Sequence, residues 1–282
     1  MRIACALLLV AAAGSADALG PRLRLAGDVG QGYDTNVGNA EFEADVRESA
    51  FTLGALTADL SLPITPYSTV LLRGSAHGER YEAYDDLSNA KGTLLARWFF
   101  RANGDFHTPL LALWGSAAAW EFESQIRDGL EYRGGAFLVQ QLNTAFSARL
   151  SLAAVRRESD SRVFDLEGAS AGLNLDWTPA RALTVYGGYQ YYRGDVVSSA
   201  TPTFKVVNAA EVIEPDDAFG GFATGQFAYR LDADSHIGTA GFNLALSRRV
   251  SLDLQGQHVR TGADWDNSYR RWISSASLLA RF

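Results

Sequence analysis

The stretch WISSASLLARF, residues 272–282, alternates apolar and polar side chains with a period of two. Trp272 and Phe282 lie at the two ends of its more apolar side, whereas Arg281 lies on the other side. Successive side chains of a β-strand point to opposite faces, so the stretch predicts a strand with one apolar face. Its length of about ten residues and its aromatic ends are typical of strands that cross an outer membrane.

The first residues, MRIACALLLVAAAGSADALG, have the three parts of a secretory signal peptide. Arg2 supplies the positive charge, residues 4–13 form a short apolar run, and residues 16–18 form a small-residue cleavage site. The apolar run is half the roughly 20 residues that a transmembrane helix needs. We therefore predict that residues 1–18 are removed and that residues 19–282 form one mature domain.

Composition narrows the classes of function. The only cysteine, Cys5, lies in the predicted signal peptide, so the mature chain has no disulfide framework and no thiolate chemistry. The formal net charge of −7 makes nucleic acid a poor partner. After residue 13 no apolar stretch reaches the length of a transmembrane helix, so such a chain enters a membrane only as a closed β-barrel.

Twelve segments of the mature chain show strand-like alternation. They cover residues 22–33, 49–62, 68–81, 92–101, 109–122, 129–140, 144–158, 163–177, 182–192, 235–246, 250–260 and 270–282. The links between them tend to be short and long in turn, as in bacterial barrels with short periplasmic turns and longer extracellular loops. We predict an all-β, antiparallel, up-and-down transmembrane barrel of 12 strands in the bacterial outer membrane, with both termini on the periplasmic side.

Two features leave the strand assignment open. Segments 109–122 and 129–140 are apolar on both sides, so the sequence does not fix which side faces inward. Residues 219–231 are also strand-like. They either extend a neighbouring hairpin above the membrane or form half of an extra pair, which gives 14 strands.

A soluble β-sandwich in the periplasm is the alternative fold, since it also alternates and is also exported. Aromatic residues near the strand ends favour the barrel, because they suit the interfacial girdles of membrane proteins. These residues are Trp98, Phe100, Trp120, Trp177, Tyr189, Tyr191 and Trp272.

The motif GQGYDTNV, residues 30–37, resembles the element that opens many proteobacterial outer-membrane barrels of the β-barrel porin 2 group. Residues 229–257 and 269–282 resemble the closing hairpins of the same group. The resemblance implies a membrane barrel of a kind found beside exopolysaccharide genes, and loosely also the barrel of surface-lipoprotein assembly modulators. In this comparison Phe282 is similar to the terminal residue that the barrel assembly machinery reads as a signal.

One side of every strand faces the lumen of such a barrel, and that side carries candidate pore-lining residues. They are Arg24, Asp28, Asp59, Arg73, His77, Glu79, Arg97, Arg149, Asp176, Gln190 and Asp253. A barrel of 12 strands lies between the side-chain-filled barrels of about eight strands and the water-filled porins of about 16. Two outcomes stay open: a narrow polar pore, or a lumen sealed by ion pairs such as Arg73 with Asp59 and Arg97 with Glu79.

The longest link, residues 194–234, is rich in carboxylates. It can fold into the pore, cover its mouth, or bind calcium through carboxylate oxygens. The DAD motif at residues 232–234 lacks the glycine and the terminal glutamate of a calcium loop. We therefore expect a solvated surface loop without a bound metal.

Three functions are compatible with these features. The first is a passive, porin-like conduit for small solutes or saccharides in an exopolysaccharide or envelope pathway. The second is an outer-membrane lipid hydrolase, a phospholipase or a lipid A deacylase. The third is a closed structural barrel that presents its loops outside.

The four histidines give little support to the hydrolase hypothesis. His77, His107, His236 and His258 lie in no local pattern of such enzymes, although His258 can approach Ser268 or Ser274 across strands. We favour the conduit and predict no catalytic residues and no cofactor. The expected partners are outer-membrane lipid and lipopolysaccharide, the barrel assembly machinery and periplasmic export components, but no nucleic acid.

Overall fold

The alternating segments form long β-strands in the computed structural model, which describes residues 20–282. The strands are β1 (Arg22–Asp34), β2 (Ser49–Thr65), β3 (Ser68–Tyr81), β4 (Asn89–Arg101), β5 (Leu110–Phe122), β6 (Gly129–Gln141), β7 (Phe146–Ser159), β8 (Leu166–Ala180), β9 (Leu183–Ala200), β10 (Val212–Pro215), β11 (Phe227–Ala245), β12 (Val250–Ala263) and β13 (Asn267–Arg281). The predicted signal peptide, residues 1–18, lies outside the described residues and stays a prediction.

Short helical segments lie in the links between strands. The α-helices are α1 (Phe204–Ala209) and α2 (Gly221–Thr224). Single 3-10 turns are found at Asp85–Leu87, Gln125–Arg127, Arg162–Phe164, Asp217–Phe219 and Asp264–Asp266. Among the described residues, no helix combines the length and the apolar character that crossing a membrane requires.

Twelve of the strands form a closed ring. Neighbouring strands pair antiparallel, β9 pairs with β11, and β1 pairs with β13 from Ala26↔Arg281 to Asp34↔Ile273. The short strand β10 pairs only with the beginning of β11 and stands outside the ring. The predicted 12-stranded barrel is therefore confirmed, and the alternative of 14 strands is wrong.

The pairing register fixes which side chains face inward. Arg97 of β4 lies opposite Leu71 of β3 and Trp114 of β5, so these three side chains share one face. Followed around the ring, the inward residues are even-numbered in β1, β5, β8 and β9 and odd-numbered in the other ring strands. The register thereby identifies the inward faces of β5 and β6, whose sequences are apolar on both sides.

The opposite parity forms an apolar outer surface. Leu94 and Leu152, for example, are 73% and 64% exposed and point away from the lumen. Large exposed side chains of this kind suit contact with lipid tails, because a barrel carries an apolar band on its outer face. The outer surface therefore has the character that a membrane-spanning barrel needs.

Most of the predicted girdle aromatics lie on this outer face near strand ends. They are Trp98, Phe100, Trp177, Tyr189, Tyr191 and Trp272. The prediction for Trp120 is wrong, because even-numbered residues of β5 point inward and Trp120 lies opposite Lys91 in the lumen. The sequence alone did not reveal this facing because β5 is apolar on both sides.

Strands β9 and β11 extend beyond the rim of the barrel. Pairing of β8 with β9 ends at Gly168↔Gly194, whereas β9 and β11 remain paired as far as Ala200↔Phe227. The strand-like stretch 219–231 therefore extends a hairpin in part, because its residues from Phe227 onward begin β11. Residues 201–226, which connect the two strands above the rim, are called the cap below.

Candidate functional site

The inward face of the ring strands is positively charged although the whole chain is acidic. Eleven arginine and lysine side chains and seven carboxylates point inward, a balance of +4, whereas the chain carries −7. The inward cations are Arg22, Arg24, Arg73, Lys91, Arg97, Arg101, Arg133, Arg149, Arg157, Arg271 and Arg281. The inward acids are Asp28, Asp34, Asp59, Glu79, Glu131, Asp176 and Asp253. The lumen therefore carries a net charge opposite in sign to that of the whole chain.

Of the two ion pairs expected inside the lumen, the structure contains one. Arg73 binds Asp59 with both arms of its guanidinium, at 2.6 Å from Nε to Oδ1 and 2.8 Å from Nη2 to Oδ2. The second pair is absent, because Glu79 instead lies 3.2 Å from Nε2 of His77. Within the described residues, no carboxylate lies within 4.0 Å of the Arg97 guanidinium.

Arg97 and Arg149 share an aromatic ring rather than an acid. Each guanidinium carbon lies 5.2 Å from the centroid of Phe137, and Arg97 also lies 5.6 Å from Phe99. Arg149 has no carboxylate within 4.0 Å among the described residues either. A cation over a ring face is held by the ring quadrupole without losing its charge. The two arginines therefore present uncompensated positive charge in the periplasmic half of the barrel.

A second group of cations and rings lies higher on the same wall. Lys91 lies 4.1 Å from the Trp120 ring and Arg157 lies 5.2 Å from it. Here an acid is present, because Glu131 binds Lys91 at 3.1 Å and Arg133 at 2.9 Å. The two groups together are called the cation–aromatic stripe, which comprises Lys91, Arg97, Phe99, Trp120, Phe122, Phe137, Arg149 and Arg157 on β4 to β7.

Two acids elsewhere in the lumen are held by uncharged hydrogen-bond donors. Asp253 accepts hydrogen bonds from Tyr186 Oη at 2.9 Å and Asn243 Nδ2 at 3.2 Å. Asp176 accepts one from Ser147 Oγ at 3.3 Å. The remaining candidate pore-lining residues also point inward: Arg24 and Asp28 on β1, His77 on β3 and Gln190 on β9. Their part in conduction stays a prediction.

The cap crosses the extracellular mouth and is tied down by a buried carboxylate. Asp216 is fully buried and accepts two hydrogen bonds from Nη2 of Arg127, at 2.6 Å and 2.7 Å, in the link between β5 and β6. It also accepts hydrogen bonds from Ser199 Oγ and from the amide of Ala218. A buried carboxylate with this many donors is well satisfied, so it fixes the cap to the far side of the barrel.

Apolar contacts complete the closure. Phe219 and Ala218 of the cap pack against Phe51 and Tyr81, whose side chains point into the top of the lumen from β2 and β3. The Phe219 ring lies 5.1 Å from that of Tyr84 in the link between β3 and β4. The long link therefore covers the mouth and reaches into it, so the expectation of a solvated surface loop is wrong for the buried residues Asp216, Ala218 and Phe219.

The histidines form no nucleophile–base pair in the described residues. His77 contacts Glu79 in the lumen, whereas the His258 ring packs on Trp272 at 4.4 Å on the outer face. No hydrogen bond joins His258 to Ser268 or Ser274 in the part of the chain that the structure describes. The described residues also contain no group of three or more His, Cys, Asp or Glu side chains arranged to hold a metal ion.

Sequence reasoning missed several of these residues. Lys91 and Arg101 could have been found, because they share the parity of Arg97 along β4. Glu131 and Arg133 could not, because β6 gives no clear facing in the sequence. The role of Asp216 depends on Arg127, which lies 89 residues away along the chain, and no local pattern joins them.

This chain is similar to solved structures of outer-membrane channels and porins. The COG4313 outer membrane channel from Pseudomonas putida F1 is 14% identical, with a TM-score of 0.61 over 92% of this chain and 95% of that chain. The KdgM porin solved with disordered oligogalacturonate is 9% identical, with a TM-score of 0.47 over 90% and 99%. The DcaP channel of Acinetobacter baumannii is 10% identical, with a TM-score of 0.42 over 96% and 100%.

Neither models of known families nor curated proteins gave a match to this chain. The likeness to the Pseudomonas channel is therefore one of fold. A closed barrel of 12 strands, an apolar outer surface and outer aromatic girdles agree with it. The chain is an outer-membrane β-barrel, and its candidate functional site is the cation–aromatic stripe beneath the cap.

Proposed function

We propose that the protein is a passive, porin-like conduit for small solutes and that its lumen prefers anions. The observation that supports this proposal is the pair Arg97 and Arg149, which flank Phe137 without a carboxylate. A charged group inside a protein is costly unless it is paired or hydrated. Two uncompensated arginines therefore suit a lumen that contains water, whereas a sealed barrel would balance its interior charges.

Saccharides that carry carboxylates are a suitable class of solute for this wall. The guanidinium fork matches a carboxylate, and the inward rings of Trp114 and Trp120 offer apolar faces. The resemblance to the β-barrel porin 2 group adds an exopolysaccharide or envelope pathway as the proposed setting. Lipopolysaccharide, the barrel assembly machinery acting on Phe282 and periplasmic export components are the proposed partners.

The cap supports a second candidate, a closed structural barrel that presents its loops outside. Asp216, Arg127 and Phe219 hold the cap across the mouth, so passage requires a route beside the cap or its displacement. The hydrolase has no comparable support, because no hydrogen bond joins a histidine to a serine among the described residues.

Ion selectivity of single channels separates these candidates. The refolded mature protein is inserted into a planar bilayer with a potassium chloride gradient, and the reversal potential is measured. We expect discrete conductance steps with a preference for chloride. The double variant R97Q/R149Q removes two positive charges, so its reversal potential should shift toward potassium selectivity.

The matched control is R156Q. Arg156 lies on the outer face of β7 and pairs with Glu158 at 2.9 Å, so its loss leaves the lumen unchanged. No conductance from a folded, heat-modifiable barrel contradicts the conduit and favours the closed barrel. A cation-selective native channel contradicts the anion preference alone.

A further inference from the structure

Two arginines face each other on the outer surface of the barrel. Arg260 of β12 and Arg270 of β13 are direct register partners, and both side chains are exposed on the side away from the lumen. Among the described residues, no carboxylate lies within 4.0 Å of either guanidinium, and neither donates a hydrogen bond to the protein. These residues are called the outer arginine pair.

No contact within the described part of the protein stabilises two adjacent arginines of this kind. Side chains directly opposite in an antiparallel sheet lie about 5 Å apart at their Cβ atoms, and like charges there are destabilising. A bound anion between the two guanidinium forks removes this repulsion and satisfies their donors. The next register partner of Arg260 is His236, which extends the same polar row on β11.

The row lies where lipid headgroups meet the barrel. Trp272 and His258, one register step nearer the membrane centre, pack with their ring centroids 4.4 Å apart on the outer face. Tyr189 lies in the row of Trp272 and His258, on the other side of Gly238, and its hydroxyl is 2.6 Å from His236 Nδ1. Aromatic girdles mark the interface between the hydrocarbon and the headgroups. The arginines therefore stand just outside it, at the end of the barrel that carries the long loops.

Another outward arginine at the same end shows the contrast. Arg156 of β7 binds Glu158 at 2.9 Å and needs no external anion. On the side of β12 and β13, Asp234 of the neighbouring strand accepts a hydrogen bond from Tyr191 and lies opposite Gly262 and Arg193 rather than Arg260. The outer arginine pair therefore lacks the acid that Arg156 has.

We propose that Arg260 and Arg270 bind a phosphate group of a phosphorylated glycolipid in the outer leaflet, with His236 beside it and Trp272 beneath the headgroup. The site lies outside the lumen, so it is independent of conduction. It gives the barrel a fixed lipid contact on the side formed by β11, β12 and β13.

Binding of lipid A to the whole mature barrel in detergent tests this proposal. Native mass spectrometry gives the bound fraction against the concentration of bisphosphorylated lipid A, and dephosphorylated lipid A is the comparison. We expect the native protein to prefer the phosphorylated lipid by about tenfold or more in Kd, because two charge-assisted contacts are lost without the phosphate. R260Q/R270Q should lose that preference.

Two further variants and one competitor make the result specific. R156Q should bind as the native protein does, and R260K/R270K should retain part of the preference, because it keeps the charge but not the fork. Migration of unheated samples on gels verifies that each variant is folded. Equal binding by native protein and R260Q/R270Q, or no preference for the phosphorylated lipid, overturns the proposal. Displacement of lipid A by inorganic phosphate alone overturns the glycolipid as the ligand.

Discussion

The contact that holds the cap and the cation–aromatic stripe both use arginine, but the arginines have opposite surroundings. At the cap, Arg127 of the link between β5 and β6 pairs with the fully buried Asp216. In the stripe, Arg97 and Arg149 lie against aromatic rings and pair with no acid among the described residues. Paired charge holds one segment of chain against another, whereas unpaired charge stays available to a solute. Paired charge thus closes the mouth of this barrel, whereas unpaired charge underlies its proposed selectivity.

The largest effect is expected from D216N, which breaks the pairing in the cap. Removing one partner of a buried ion pair costs about 3–5 kcal/mol, which corresponds to a shift of roughly 150- to 4,000-fold in the equilibrium between a docked and a released cap. We expect larger or more frequent conductance steps in planar bilayers.

The neighbouring Asp217 provides the matched control for this variant. Asp217 is exposed and forms no ion pair within the described residues. D217N should therefore conduct as the native protein does. Equal conductance of D216N and native protein would show that the cap does not limit passage.

A smaller effect is expected from D59N, which removes the acid that pairs with Arg73 and leaves this arginine unpaired, as Arg97 is. Asp59 neutralises Arg73 through two hydrogen bonds, so its replacement adds one free positive charge to the lumen. A unit charge at 4 Å in water is worth about 1 kcal/mol, or about fivefold in local anion concentration. The reversal potential should move further toward chloride, opposite in direction to R97Q/R149Q; a shift toward potassium contradicts this account.

The smallest effect is expected from F137L, which keeps both arginines and removes the ring between them. A cation–π contact contributes about 0.5–2 kcal/mol, depending on how far it is removed from water, so the positions of Arg97 and Arg149 become less defined while the lumen charge is unchanged. Chloride preference should fall by about twofold or less. A loss as large as that of R97Q/R149Q would mean that the ring, rather than the charge, governs selectivity.

Alternation along the chain accounts for most of the barrel and part of the lumen. Ten of the twelve predicted segments cover most of the length of their strands, because alternation is a property of neighbouring residues. The exception is the hairpin of β9 and β11, which continues to Ala200 and Phe227. Its extension lies above the rim, where lipid no longer imposes an apolar outer face, so the sequence pattern fades there.

The sequence by itself predicted a membrane barrel, with 12 strands favoured over 14, and predicted that residues such as Arg73 and Arg97 point inward. Local periodicity suffices for this, since every second side chain of a strand shares a face. Only the tertiary structure decided that Trp120 faces the lumen, that Arg97 is left without an acid and that Asp216 holds the cap. These features depend on register and on contacts between distant segments, and Asp216 meets Arg127 across 89 residues of chain.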